Sequence, residues 1–405
     1  MANTCLMMVA GERSGDLYGA ELARALRARL GSVEIFGCGG DAMREAGVET
    51  TIDAHQVSVA GIVEVLAGLP RVYRAFHTLL AEVDRRRPAL AVLINFPDFN
   101  LRMAKRLRKR NTPVVYFVSP QIWAWRSGRI KEIKANVTRM LCIFDFEEEI
   151  YRRAGVPVDY VGHPLVDLAR SHTARKEFFA KAGLDPALTT VALLPGSRLK
   201  EVSLNLPPML GAASQLALKR SVQFVVPIAP TLDSVWLEST ILEAYVGRAP
   251  VRALTHATSD ALEHADVAVV ASGTATLEAA LHARPMVVVY RVSPLTWLFG
   301  KLLVKVPYYS MVNLLAGKQL VTELMQSEFT AQNLATQVEY LLDHPEARAQ
   351  MAQELCALRA RLGPSGAAGR AAEAVVRVLE AGGQPLNPNQ ASAARDAAAQ
   401  NNATS

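Results

Sequence analysis

The sequence predicts an α/β protein built from two doubly wound parallel sheets. Three observations carry that prediction. Short, wholly apolar runs alternate with helical patterns, which is the signature of parallel strands wrapped by crossover helices. The alternation occurs twice, on either side of a helical linker. Several runs also lead straight into loops of glycine and small residues, where sheets of this kind bind ligands. At 405 residues the chain is too long for one typical core and has room for two.

In the first half, Cys5–Val9 reads as a buried strand and Asp16–Leu30 as an amphipathic helix. Val33–Phe36 is a second strand, leading into Gly37-Cys38-Gly39-Gly40-Asp41, and Leu90–Ile94, Val114–Val118 and Leu141–Phe144 follow. Gly162-His163-Pro164 marks the domain boundary. The second series is Val191–Leu194, Phe224–Pro227, Val267–Val270 and Met286–Tyr290. Two such Rossmann-like units in one chain are expected to leave a cleft between them. Past Gln337 the pattern is helical to about Ala381, broken by Gly363-Pro364-Ser365-Gly366. The expected division is 1–165, 166–340, C-terminal helices over 341–381, and a disordered tail over 382–405, poor in large apolar residues. No repeat of solenoid length is visible.

Half the residues are hydrophobic and a fifth charged, ordinary values for a folded protein. No run reaches the roughly 18 apolar residues of a membrane span: Val57–Leu69 is broken by Glu64, and Leu295–Val306 by Lys301 and Lys305. Met1–Ala10 lacks the basic start of a signal peptide. The four cysteines have neither metal nor redox spacing, so free thiols in a reducing cytoplasm are expected. The formal charge of +6 is concentrated in Arg85-Arg86-Arg87 and in Arg102, Lys105, Arg106, Arg108, Lys109 and Arg110. A solvated helix face and attraction to an anionic membrane or substrate both fit these clusters. Without aromatic-interleaved basic motifs, nucleic acid is not expected as a partner.

Four loops could carry chemistry. Ala271-Ser272-Gly273-Thr274-Ala275 runs from a strand directly into a helix. Small residues there let a phosphate approach the backbone, and the helix N-terminus favours an anion. Glu278, one turn on, can hold a ribose diol; the bland alternative is a tight turn with a solvated glutamate. Pro195-Gly196-Ser197-Arg198 makes a similar loop, with Ser197 as donor and Arg198 to neutralise a diphosphate. In the first half, Gly11-Glu12-Arg13-Ser14-Gly15-Asp16 follows the first strand. Glu12, Ser14, Gly15 and Asp16 are candidates there, although Asp16 also suits a helix cap. The loop lacks the G-x-G-x-x-G order of a dinucleotide site. Asn95-Phe96-Pro97-Asp98-Phe99-Asn100 places a carboxylate between two phenylalanines. Partly desolvated, Asp98 becomes a stronger base toward an alcohol; the alternative is a helix cap.

Ser119-Pro120-Gln121-Ile122-Trp123-Ala124-Trp125-Arg126 could line a sugar or acyl site or simply pack in the core. Asp145-Phe146-Glu147 is a poor match to the acidic pair that holds a metal in many sugar transferases, and with Glu148 and Glu149 it reads as a solvated helix start. No metal site or cofactor is expected.

In order and spacing these segments resemble the lipid-A-disaccharide synthases, bacterial glycosyltransferases with the two-domain architecture called GT-B. The resemblance rests on Gly11-Glu12 with Ser14-Gly15-Asp16, Asn95–Asn100, Ser119-Pro120 with Trp123–Arg126, Gly162–Leu165, Leu194–Arg198, Ser272–Glu278 and Asn313-Leu314-Leu315. Arg13 and Leu199 stand where smaller residues are usual. The resemblance implies that UDP-2,3-diacylglucosamine and 2,3-diacylglucosamine 1-phosphate give the β-1,6-linked disaccharide 1-phosphate and UDP. It gives Asp98 the proton, Arg198 and the Gly273–Ala275 amides the departing UDP, Glu278 the ribose, and Asn313 an approach to the nucleotide. It implies a cytoplasmic enzyme bound peripherally to the inner membrane; Val57–Leu69 with the Arg102–Arg110 run is the candidate docking surface, and a core helix beside an unrelated solvated face is the alternative. It also implies C-terminal helices that return to the first domain, exchanged between the protomers of a homodimer. Of the rivals, a UDP-N-acetylglucosamine 2-epimerase needs more acid–base groups and no acyl surface, and a peptidoglycan-precursor transferase shares the phosphate site. A catalytically idle nucleotide-sugar or lipid-binding module differs from all of these in having no turnover.

Overall fold

The structure, a computed structural model, describes residues 4–57, 62–123, 128–228, 250–293, 297 and 306–383, and within 62–67 the backbone only. Its elements in chain order are β1 (Thr4–Ala10), α1 (Arg13–Leu30), β2 (Val33–Gly39), α2 (Asp41–Glu45), β3 (Glu49–Asp53), α3 (Ile62–Arg86), β4 (Leu90–Ile94), α4 (Pro97–Arg108), β5 (Val114–Phe117), α5 (Arg129–Asn136), β6 (Arg139–Cys142), α6 (Asp145–Arg153) and β7 (Val158–Tyr160). There follow α7 (Leu165–Leu168), α8 (Arg175–Ala182), β8 (Thr189–Leu194), α9 (Leu199–Ala217), β9 (Val222–Ile228), β10 (Val251–Thr255), α10 (Thr258–His264), β11 (Val267–Ala271), α11 (Thr274–Leu281), β12 (Met286–Tyr290), α12 (Met311–Ala316), β13 (Thr322–Met325), α13 (Ala331–Asp343), α14 (Pro345–Arg361) and α15 (Ala367–Glu380).

Two compact units result. Unit 1 holds residues 1–164 and 362–405, and unit 2 holds 165–361. Unit 1 has a seven-stranded sheet in the order β3-β2-β1-β4-β5-β6-β7, and unit 2 a six-stranded sheet in the order β10-β9-β8-β11-β12-β13. Every pairing is parallel. Parallel strands are covered on both faces, so their sequences are continuously apolar. Leu6 to Ala10 and Leu90 to Ile94 are accordingly fully buried. Each unit has its own core, with Phe36, Leu107 and Tyr116 in one and Phe224, Leu210 and Phe329 in the other.

The C-terminal helices part company at the Gly363–Gly366 break. α14 packs on α11, α12 and α13 of unit 2, whereas α15 packs on α1 of unit 1. Only the second helix therefore returns to the first unit. Polar ties fix it there: Arg370 Nε donates to the Val161 carbonyl at 2.9 Å, and Arg377 reaches Asp159 at 3.4 Å. Asp159 already forms a buried two-point ion pair with Arg139, both bonds 2.7 Å. Beyond Gly383 the expected tail lies outside the described residues, as do Trp125, Arg126 and part of Val57–Leu69. Among the described residues no helix is long and apolar enough to cross a membrane.

Candidate active site

In a doubly wound sheet the strand order reverses at one point, and ligands bind beside the strand ends there. In unit 1 the reversal lies between β1 and β4, which run in register from Leu6↔Leu90 to Ala10↔Ile94. The Gly11–Asp16 and Asn95–Asn100 loops therefore leave the sheet side by side. In unit 2 the reversal lies between β8 and β11. The Pro195–Arg198 and Ser272–Glu278 segments leave it together in the same way. Both pairs of loops singled out from the sequence thus sit at switch points.

The unit 1 loops are locked to one another. Asn95 Nδ2 donates to Glu12 Oε2 at 3.1 Å. Gly11 has no room for a side chain, because a Cβ there would lie 2.3 Å from the Phe96 ring. Asn95 and Phe96 both take left-handed backbone angles, φ 46° and 49°, which cost of order 1–3 kcal/mol for a non-glycine residue. The buried Asn100 side chain holds that turn by donating to the carbonyls of Ile94 and Asn95 at 3.1 and 2.9 Å. Tyr116 adds a bond to the Asn95 carbonyl at 2.5 Å. Its hydroxyl, pushed up by burial, lies in the fields of Arg129, Glu12 and Asp98.

Two expectations need correction here. Asp98 is not desolvated between its phenylalanines: its side chain is 65% exposed and ion-paired with Arg129, which is itself only 14% exposed. The phenylalanines turn to the protein instead, stacking on each other at 5.3 Å. Nor is Asp98 the helix cap, a place taken by Phe96. Asp16 is not a ligand group and does not cap its own helix. It is buried within α1 and accepts the backbone N–H groups of Gly40, Ala42 and Met43 at 2.7, 3.1 and 3.1 Å, closing the N-terminus of α2. Gly15 is buried too, 3.4 Å in Cβ terms from Ala10, so it serves close helix–strand packing. Glu12 and Ser14 are half-buried.

Sequence reasoning missed one ionisable group. Glu147 is only 1% exposed, not part of a solvated helix start. Its carboxylate accepts Trp123 Nε1–H at 3.2 Å and the Phe144 N–H at 3.3 Å, and Ser119 bonds to it as well. Burial pushes its carboxyl up to about 7 against these bonds. The i,i+3 relation of Phe144 to Glu147 at the start of a helix was the available signal, because Glu at that position reaches back to the cap N–H. His163 lies in the same region, edge-on to Tyr18 and 5.4 Å from the Phe144 ring. Burial lowers its imidazole to about 3, so it is neutral near pH 7.

In unit 2 the loops are of another kind. Gly273 has φ 157° and ψ −159°, a backbone region essentially confined to glycine. A Cβ there would meet nothing within 4 Å, so open space lies above it. Gly273 and Thr274 are exposed and Ala275 half-buried, at a helix start that no side chain caps. An anion is the natural partner for such amides. Ser272 Oγ is turned away from them, donating to the Tyr309 carbonyl at 3.0 Å. On the neighbouring strand Gly196 has φ 126°, and its loop is folded by Glu201, which accepts Ser197 N–H at 3.2 Å and Arg198 at 2.9 Å. Arg198 is 44% exposed, a cation held in a surface ion pair with Glu201. Glu278 is half-buried, one turn into α11.

Asn313 does not approach a ligand directly. It is fully buried, and its amide donates to Val321 O and Glu323 Oε1 at 2.9 and 2.8 Å and accepts from Leu320 N and Val321 N at 2.8 and 2.9 Å. Two donors and an acceptor are thereby satisfied internally. Glu323 also gathers Tyr309 N, Ser310 N and Ser310 Oγ at 2.8–2.9 Å. Asn313 thus shapes the segment whose Tyr309 carbonyl receives Ser272.

Residues 6–375 match the family model described as lipid-A-disaccharide synthetase. The lipid-A-disaccharide synthase of Solibacter usitatus is 43% identical over 376 residues, 93% of this chain and 97% of the relative. That of Myxococcus xanthus is 46% identical over 384 residues, 93% and 98%. The chain belongs to the lipid-A-disaccharide synthase family. As a member it is a UDP-sugar glycosyltransferase of lipid A synthesis. Solved structures carry the same architecture at low identity. The UDP-GlcNAc 2-epimerase of Neisseria meningitidis bound to UDP-GlcNAc has a TM-score of 0.61 at 11% identity, covering 93% of this chain and 99% of its own. The calicheamicin glycosyltransferase CalG4 has 0.58 at 15%, covering 94% and 99%. These likenesses establish the GT-B fold of the synthase and nothing about its ligands.

Proposed function

We propose that this synthase transfers the diacylglucosamine of UDP-2,3-diacylglucosamine to the 6-hydroxyl of 2,3-diacylglucosamine 1-phosphate with inversion. The pairing of loops at both switch points carries this reading. Asp98 Oδ takes the hydroxyl proton, the O6–C1 bond forms, and the C1–O bond to UDP breaks with its electron pair on the β-phosphate. Arrival of the acceptor excludes water from Asp98 and sets the 6-hydroxyl against its carboxylate. Arg198 and the Gly273–Ala275 amides stabilise the departing diphosphate, a preorganised electrostatic role that needs no metal. Glu278 holds the ribose, and Asn313 acts through the Tyr309–Ser272 contact.

The acylated substrates require peripheral contact with the cytoplasmic face of a membrane. On α3, Leu69 and Tyr73 are 48% and 68% exposed and border a groove of about 880 Å³ with His77. On α4 and just beyond its end, Arg102, Lys105, Arg106, Arg108, Lys109 and Arg110 are all exposed. Exposed apolar groups together with basic attraction suit a peripheral protein. Arg86 is excluded from that surface by its ion pairs with Glu34, Glu49 and Glu82. A homodimer in which α15 is exchanged uses the same α1 surface that α15 covers within its own chain.

The test is Asp98→Asn, assayed for UDP release with both acylated substrates, with and without EDTA. Turnover is expected to collapse while UDP still binds; near-normal turnover removes Asp98 from the role, and loss of wild-type activity in EDTA removes the metal-free mechanism.

A further inference from the structure

Glu201 takes no part in the transfer proposed above, yet its two oxygens hold the groups that a diphosphate would use. Oε2 accepts the Ser197 N–H at 3.2 Å, and Oε1 accepts Arg198 Nη1–H at 2.9 Å. An anionic oxygen shared by a loop amide and a guanidinium is also how a phosphate oxygen is held at such a loop. The side chain is folded down onto the turn: a Cβ at Gly196 would come within 2.8 Å of both its Cβ and its Oε2. The loop has a second hold that owes nothing to this carboxylate. Asn205, buried one turn farther along α9, donates to the Pro195 carbonyl at 2.9 Å. The Val202 N–H closes the first helical turn on the Arg198 carbonyl at 3.0 Å. Tyr290 gives the pair its direction. Its hydroxyl, pushed up by burial, lies in the fields of Glu201 and Arg198. Tyr290 ends β12, and β11, which leads to Gly273, lies between β12 and β8. The Arg198–Glu201 pair therefore stands toward the open space above Gly273.

We infer that Glu201 is an internal counter-anion of the diphosphate site: it occupies the Ser197 amide and Arg198 until the donor's diphosphate displaces it, and takes them back as UDP leaves. The inference rests on Arg198 as a ligand of the diphosphate. One N–H carries one hydrogen, so the Ser197 amide cannot serve the carboxylate and a phosphate oxygen together. Arg198 has five N–H donors and can touch two anions at once. Doing so sets two like charges side by side, and their repulsion drives the carboxylate off. The exchange sets against every gain from the diphosphate the loss of the Glu201 bonds. It thereby lowers UDP affinity and favours release of the product, with no change in the groups that meet the sugar.

The experiment measures UDP and uridine affinities of the full-length wild type, Glu201→Gln and Arg198→Gln by calorimetry. Glutamine keeps an oxygen for the Ser197 N–H and removes the charge. E201Q is expected to bind UDP roughly 3–10-fold tighter, the worth of one partly exposed charged hydrogen bond. Inhibition of turnover by added UDP should deepen by the same factor. Uridine, which lacks the phosphates, is expected to bind the wild type and E201Q equally. Unchanged or weaker UDP binding in E201Q overturns the inference; weaker binding would make Glu201 a builder of the site, not its occupant. An equal gain for uridine overturns it as well, because the effect then lies away from the phosphates. Should E201Q fail to fold, Glu201→Asp, one carbon shorter, decides: tighter UDP binding upholds the inference, and unchanged or weaker binding overturns it. R198Q tests the reading beneath. It is expected to weaken UDP binding roughly 10–100-fold, and full UDP affinity there removes Arg198 from the diphosphate, a failure distinct from that of Glu201.

Discussion

At the switch point of the first sheet the strands end in ionisable and amide side chains: Glu12 bonded to Asn95, and Asp98 paired with Arg129. At that of the second they end in Gly196 and Gly273, with backbone amides and the cation Arg198. The two sheets have the same central strand order and all-parallel pairing, so the scaffold does not distinguish them. The distinction lies in the first few residues after each strand. On the proposed reading unit 1 moves the proton and unit 2 holds the diphosphate, and a glycosyl transfer from a nucleotide needs one of each. Chemistry grafted on loops over interchangeable frames is how one fold comes to serve epimerases and transferases alike.

The sharpest way to break the comparison is to remove the proposed proton acceptor and ask whether the other unit notices. Asp98→Asn is expected to cost about 10²–10⁴ in kcat, the usual contribution of a general base. UDP affinity, measured by calorimetry, is expected to stay within about twofold. A reciprocal change is Gly273→Ala. No atom obstructs the new methyl, so its cost is backbone strain of about 1–3 kcal/mol, read as roughly 5–150-fold weaker UDP binding. Acceptor KM should hardly move. If Gly273→Ala binds UDP normally while Asp98→Asn abolishes UDP binding, the division of labour between the units is wrong.

Stability against pH sharpens the contrast, since Glu147 and His163 both belong to unit 1. The Glu147 carboxyl is raised from 4.5 to about 7. Its favourable contribution is therefore complete below pH 4.5 and is lost as pH rises through 7. The wild type should lose about 3 kcal/mol relative to E147Q across that window. His163 is lowered from 6.5 to about 3, so its contribution holds above pH 6.5 and is lost as pH falls toward 3. Urea titrations of the wild type and E147Q at pH 4.5, 6 and 7.5 measure the first. Curves that stay parallel across the three values contradict the buried, titrating carboxylate.

Much of this was legible in the sequence, and the missed parts have physical causes. All nine strands read from apolar runs are present, with ends shifted by a few residues. The four overlooked strands, β3, β7, β10 and β13, are the two edges of each sheet. Edge strands are short and half-exposed, as the three-residue β7 and the β10 strand, buried only at Val251, show, so they lack a continuous apolar run. The switch-point loops were legible because small residues at strand ends are a local signal. Partners distant in sequence were not: Arg129 on Asp98, the Gly40–Met43 amides on Asp16, and Glu323 on Asn313. A polar side chain read alone looks available, and only the fold shows which ones the protein has already used.

The smallest expected effect concerns the two basic clusters of unit 1, which composition could not separate. Arg86 is 13% exposed, bonded to three glutamates and stacked on Phe36 at 4.7 Å, so it belongs to the fold, although Arg85 and Arg87 beside it are exposed. Arg102 and Lys105 on α4 are exposed. Changing both to Gln should leave stability within about 0.5 kcal/mol, as surface substitutions do. Near an anionic bilayer each such charge is worth about 1 kcal/mol, so the pair should weaken binding to phosphatidylglycerol vesicles by roughly 30-fold at low salt. Neutral vesicles should show no difference. Equal loss on both kinds of vesicle points to the Leu69–Tyr73 surface of α3 as the dominant contact, and no loss on either moves the docking face away from α4.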